Sequence, residues 1–135
     1  MPGTNDPAGL DAVGLAGLVR RKEMSATELV LAAIARIEAV NPTVNAVVTP
    51  LFEEALAEAR RPLPAGPLAG VPFLLKDLGT GQAGVLQTAG SRALRDFRPK
   101  VDDPIVTSYR KAGLIITGRT STPDLRSGLT ERREQ

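Results

Sequence analysis

An α/β fold built around two parallel neighbouring strands is what this sequence predicts, on three observations. Two continuous apolar runs, residues 71–75 and 114–117, have the length and the flanking glycines of strands buried on both faces. Between them lies a segment with a helix start, Asp102-Asp-Pro104, and a helix stop, Gly113. Ahead of them come three stretches of helical periodicity. Strand, loop, helix and strand make one βαβ crossover, a unit that is right-handed almost without exception.

In chain order, a first helix is expected over residues 10–22, capped by Asp6 or Asp11, with Leu10, Val13, Gly14, Gly17 and Leu18 on one face. Arg20, Arg21 and Lys22 fall in its last turn, where positive charge suits the negative end of the helix dipole. Ser25-Ala-Thr-Glu28 is a capping box, in which hydroxyl and carboxylate satisfy backbone donors reciprocally. It opens a second helix over 25–40, with Val30, Ala33, Ile34 and Ile37 as its apolar stripe and Asn41-Pro42 as its end. Residues 44–49 carry three valines in weak alternation and read as a short strand or an extended connector closed by Pro50. A third helix follows over 51–61, with Phe52, Ala55, Leu56 and Ala59 inward and Glu53, Glu54, Glu58 and Arg60 outward. Pro62, Pro64, Gly66 and Pro67 make a stiff linker into the first apolar strand, over 70–76. The last helix, over 104–112, is expected to turn Ile105, Val106, Tyr109 and Ala112 inward and to end on Arg110, Lys111 and a left-handed Gly113.

The chemistry concentrates at Lys76, where the first apolar run ends. Burial there disfavours the charged amine and makes a lysine a usable base near neutral pH. The plain alternative is that Lys76 snorkels to the surface at the strand end or pairs with the adjacent Asp77. With no histidine and no cysteine in the chain, a Ser-His-Asp triad, a Cys-His pair, a His or Cys zinc site and a disulfide framework are all excluded. Any base contributed to nucleophilic catalysis is therefore a carboxylate or a lysine. Lys22, Lys100 and Lys111 sit in charged or helical surroundings, which leaves Lys76 as the one lysine in an apolar strand. Gly79-Thr-Gly-Gln-Ala-Gly84 formally matches a dinucleotide-binding fingerprint, but the following residues show no helical stripe to carry a pyrophosphate. A long glycine-rich loop at a strand end serves better to shape a substrate cleft.

Bulk composition narrows the function classes. A chain of 135 residues with 42% hydrophobic and 24% charged residues suits one globular domain. A net charge of +2 and 3% aromatic residues argue against a nucleic-acid surface, and the cluster Arg92, Arg95, Arg98 and Lys100 reads as a solvated face. No stretch resembles a signal peptide, none approaches the ~20 apolar residues of a membrane span, and a cytoplasmic setting is the expectation. Nothing in the sequence demands a metal or a cofactor.

Three blocks, Pro67-Leu-Ala-Gly-Val-Pro-Phe-Leu-Leu-Lys-Asp-Leu78, Thr88-Ala-Gly-Ser-Arg-Ala-Leu94 and Lys111-Ala-Gly-Leu-Ile-Ile-Thr-Gly-Arg-Thr-Ser-Thr-Pro-Asp124, resemble the N-terminal portion of the amidase signature family. That family comprises serine hydrolases that include simple amidases and the A subunit of glutamyl-tRNA(Gln) amidotransferase. The resemblance implies the N-terminal part of an α/β/α fold, with N-terminal helices and a βαβ unit of a mixed sheet. It implies a Ser, cis-Ser, Lys triad acting on carboxamides, with Lys76 matching the base and Thr88, Gly90 and Ser91 on the loop beside the substrate cleft. The family's glycine- and serine-rich signature, source of the nucleophile and oxyanion donors, does not occur in these 135 residues, and Ser91, Ser108, Ser121 and Ser127 stand in no G-x-S-x-G elbow. One partial domain is therefore expected: a helical layer over 1–62, the start of the sheet with its lysine over 63–123, and a polar tail over 124–135 that points to a truncated or frameshifted end. Such a chain is expected to be inactive alone, to need a second chain supplying the rest of the domain, and to bind no nucleic acid directly. A non-catalytic interaction module, and nucleotide binding at residues 79–84, are the competing readings.

Overall fold

Helix starts follow their capping residues. In the computed structural model, which describes residues 7–122, the Asp11 carboxylate accepts the Gly14 amide at 2.8 Å and opens α1 (Ala12–Arg20). Ser25 opens α2 (Ala26–Val44) with both arms of the capping box at 3.1 Å. The face expected of α1 holds at Gly17 and Leu18, which are buried, but not at Val13. Ala16 packs with Val71 and Leu114, Leu15 lies beside them, and Val13 is 69% exposed.

Proline 42 does not end α2. The helix continues to Val44 and closes on a left-handed Asn45, whose amide donates to the Asn41 carbonyl. A proline in the last turn removes only one backbone donor, and the Asn41 side chain compensates by exchanging two hydrogen bonds with the Val47 backbone, at 3.0 and 2.8 Å. That fork pins the end of α2 to β1 (Val47–Pro50), which leads directly into α3 (Phe52–Ala59).

The sheet is mixed, with strand order β1-β3-β2. β2 (Pro72–Lys76) runs parallel to β3 (Ile115–Thr120), as the two apolar runs required, and β1 runs antiparallel to β3 on its other side. Successive side chains of a strand face opposite ways, and β3 shows what each face meets. Ile115 joins Ala26, Val30, Ile34, Ala55 and Ala59 of α2 and α3, whereas Ile116 joins Leu75 and Val106, with Tyr109 of α4 (Pro104–Lys111) alongside. Helices thus cover both faces, giving three layers, and each isoleucine sealed between them contributes about 1.5–3 kcal/mol.

Two expectations about these strands and their helix are corrected. β2 is not buried on both faces: Pro72, Phe73 and Leu74 are only half-buried, because an open groove of about 420 Å³ separates them from Ile37, Val40 and Val44 of α2. In α4, Val106 is sealed but Ile105 is 44% exposed, since it follows the helix start on the side away from the sheet. Asp103 precedes that helix without capping it through its side chain; the carboxylate turns instead to the Gly81 amide at 2.7 Å.

The turn from α4 into β3 is close-packed against the linker that enters β2. Leu68 and Gly70 donate to the carbonyls of Ala112 and Gly113 at 2.8 and 3.0 Å. Gly113 has φ +95°, and a Cβ there would fall 2.4 Å from the Ala69 Cα, so only glycine lets the two segments touch. Among the described residues no helix is long and apolar enough to cross a membrane. The polar tail at 124–135 lies outside the described residues.

Candidate active site

The carboxyl ends of β2 and β3 lie side by side, with Leu75 opposite Arg119 and Lys76 opposite Thr120. Alternation turns adjacent residues to opposite sides, so Lys76 is exposed and Asp77 is buried, at 2% exposure. Asp77 does not pair with Lys76. Its Oδ1 accepts Arg119 Nε at 3.0 Å, and its Oδ2 accepts the Thr88 hydroxyl at 2.7 Å and the Thr88 amide at 3.2 Å.

Arg119 is wholly buried, yet each end of its guanidinium is engaged. Besides Asp77, it donates through Nη1 to the Thr80 carbonyl at 2.7 Å and to Gln82 Oε1 at 3.0 Å, and through Nη2 to the Lys76 carbonyl at 3.2 Å and Thr80 Oγ1 at 3.3 Å. A desolvated cation is tolerated where a carboxylate and further acceptors satisfy its donors, and five acceptors from Asp77, Thr80, Gln82 and Lys76 do so here.

The loop after β2 is fixed from outside as well. Asp103 and Asp102 accept the amides of Gly81 and Ala83 at 2.7 and 2.8 Å, and Arg98 Nη1 donates to the Gly84 carbonyl at 2.8 Å. The basic cluster is therefore not purely a solvated face. No helix opens at residues 79–84; the chain passes through turns to a single 3-10 turn, Arg92–Leu94, so the helix N-terminus that pyrophosphate binding needs is missing from this loop.

Of the residues singled out in sequence, Thr88 is brought into contact with the end of β2 through Asp77. Ala89 and Gly90 follow in left-handed conformations, φ +49° and +68°, and turn the chain away. Ser91 Oγ accepts the Ala93 amide at 3.3 Å and caps the 3-10 turn, and Ser108 Oγ donates back to the Pro104 carbonyl at 3.1 Å. Lys76 stands exposed at the end of β2, and the open groove between α2 and the sheet takes no residue from the 79–91 loop.

Arg119, Gln82 and the burial of Asp77 were missed. The available signal was an arginine continuing an apolar run, Ile115-Ile-Thr-Gly-Arg119. Such a residue needs a carboxylate partner, and Asp77 ends the neighbouring run.

Polar groups gather at the carboxyl ends of the parallel pair β2 and β3, beside the loop that follows β2, which is where open α/β sheets bind ligands. The chain belongs to the Amidase family, whose model matches residues 28–133. It is 43% identical to the 6-aminohexanoate-cyclic-dimer hydrolase of Paenarthrobacter ureafaciens over 122 residues, 89% of this chain and 24% of that protein. It is 37% identical to the A subunit of the glutamyl-tRNA(Gln) amidotransferase of Syntrophobacter fumaroxidans over 129 residues, 91% of this chain and 26% of that one. Its fold matches a structure of 6-aminohexanoate cyclic dimer hydrolase complexed with substrate at a TM-score of 0.80, with 43% identity over 86% of this chain and 24% of the other. The chain thus spans about a quarter of the length of these relatives.

Proposed function

We propose that these residues form the lysine-bearing N-terminal part of an amidase-type serine hydrolase acting on the C–N bond of small carboxamides. The observation that carries this reading is the family match over residues 28–133 together with the position of Lys76, at the carboxyl end of a strand parallel to β3. In this reading Lys76, unprotonated, takes the proton of a bridging cis-serine. That serine deprotonates the nucleophilic serine as it attacks the amide carbon, and the proton returns to the departing amine. Both serines and the oxyanion donors belong to the part of the domain that the relatives have beyond the matched quarter. That part also supplies the cover over Lys76, which is exposed here, while Thr88, Gly90 and Ser91 form one wall of the cleft.

The test is complementation. The 135-residue chain is co-expressed with the remaining three quarters of the P. ureafaciens hydrolase, and ring opening of that enzyme's cyclic dimer is followed by amine release. Turnover is expected only from the pair, and Lys76→Ala is expected to abolish it. Turnover by the chain alone, or by the pair carrying Lys76→Ala, refutes the assignment. The open groove beside α2 favours a second reading, a non-catalytic module that docks another chain through that face. Tight association with no turnover is the result that selects it.

A further inference from the structure

The buried groups nearest Lys76 have no part in the chemistry above, and their geometry gives them one. We propose that Arg119 is a positioning residue for Lys76; only its catalytic consequence rests on the reading of Lys76 as the base. The peptide unit that joins Lys76 to Asp77 is planar, and it is held at both polar atoms. Its oxygen accepts Arg119 Nη2 at 3.2 Å and the Thr80 hydroxyl, and its nitrogen donates to the Thr120 carbonyl at 3.0 Å. With that plane fixed and the residue paired in a strand, the direction in which the Lys76 side chain leaves the backbone is fixed too.

The same guanidinium holds the loop that faces this strand end. It reaches Thr80 and Gln82 directly, and through Asp77 it reaches Thr88, which precedes the turn at Ala89 and Gly90. One buried cation therefore sets the strand end and both arms of the glycine loop in register. Stability does not account for it, because exchanging a buried ion pair for apolar side chains of similar volume is often neutral or stabilising. Geometry does: the five donors of a rigid fork span acceptors on Lys76, Asp77, Thr80 and Gln82 at once, which an ammonium cannot do.

The test compares Arg119→Lys with the unaltered full chain by residue-resolved amide hydrogen exchange. Lysine keeps the positive charge and loses the fork. The Asp77 amide, bonded to Thr120, and the Thr88 amide, bonded to Asp77, report the clasp; the Ile115 amide, bonded to Val71 at 2.9 Å, reports the same sheet away from the guanidinium. Exchange at Asp77 and Thr88 is expected to rise at least about tenfold while Ile115 changes less than about threefold, the signature of local opening. Equal acceleration of all three, or of none, overturns the proposal. Should Arg119→Lys fail to fold, Thr80→Val, which removes a donor to the Lys76 carbonyl and spares the ion pair, makes the same comparison. In the complemented enzyme Arg119→Lys is expected to lower kcat about 100-fold with KM within about threefold, the cost of a misplaced reacting group. An unchanged kcat overturns the catalytic link. Full turnover by Lys76→Ala instead sinks the base assignment, and the exchange data still decide whether Arg119 positions the strand end.

Discussion

Replacing Gly113 by alanine is the sharpest available test of how β3 is seated beside β2. The backbone there has φ +95°, and forcing a Cβ into positive φ costs about 1–2 kcal/mol by itself. The new atom also meets the Ala69 Cα at 2.4 Å and its nitrogen at 2.7 Å, contacts with backbone that no rotamer change relieves. The segments must part, and the hydrogen bonds from Leu68 and Gly70 to Ala112 and Gly113 are the ones at risk, at about 0.5–1.5 kcal/mol each. Altogether a loss of about 2–5 kcal/mol is expected, a large share of the ~5–15 kcal/mol typical of a domain. Gly79→Ala is the internal control: φ there is +72° but nothing lies within 4 Å of the added atom, so only the conformational cost of about 1–2 kcal/mol applies. Urea unfolding followed by far-UV circular dichroism, read at constant m-value, measures both. If the two variants lose the same stability, within about 0.5 kcal/mol, the close approach of the two segments is not what the glycine serves.

Ser25→Ala removes one arm of the capping box and should cost about 1 kcal/mol in the same urea experiment, with Glu28→Ala no worse. Asp77→Asn leaves the Arg119 cation buried without its counter-ion and should cost about 3–5 kcal/mol, whereas the double change Asp77→Asn with Arg119→Met should recover part of that loss; a double change as damaging as the two losses added would show the pair is not coupled. Lys76→Ala, at an exposed position, should shift stability by less than about 0.5 kcal/mol, so any loss of turnover in the complemented enzyme is chemical rather than structural. The 135-residue chain alone should release no amine from simple carboxamides above the uncatalysed background.

What the sequence disclosed, and what it concealed, divides along the range of the interactions. The capping box at Ser25, the proline at the start of α4 and the left-handed glycine after it are local signals, and each marks its element in the structure. The parallel pairing of β2 and β3 was legible because two apolar runs joined by a helix leave little other choice. Errors arose where a distant partner decided the outcome. Pro42 stays helical because Asn41 is tied to Val47, and α1 buries Ala16 next to the expected Gly17 and Leu18 because Val71 and Leu114 pack against it. Asp103 leaves its own helix for a glycine amide 22 residues away. At the site, Lys76 was conspicuous as a cation after an apolar run, but its exposure depends on whether other chain covers the strand end. Arg119 was hidden because its partners are 37 to 43 residues away, and no local pattern announces a pairing of that range.

The strand at the centre of the sheet is the last of the three to be synthesised. β1 and β2 both emerge before β3, and neither hydrogen-bonds the other, so each waits with open ladder positions until β3 arrives to lie between them. The contacts that then form are remote in the chain: the Thr117 and Thr120 hydroxyls reach carbonyls of β2 across 44 and 45 residues. Loops of that length must close before any of the sheet's energy is gained, which slows folding. On the ribosome, α2 and α3 can pack together early through Val30, Ile34 and Ala55, but Ile115, the residue that joins them to the sheet, arrives later. The nascent chain therefore presents two unsatisfied strand edges during synthesis, and a pulse of refolding should show helical signal ahead of protection at the Ile115 amide.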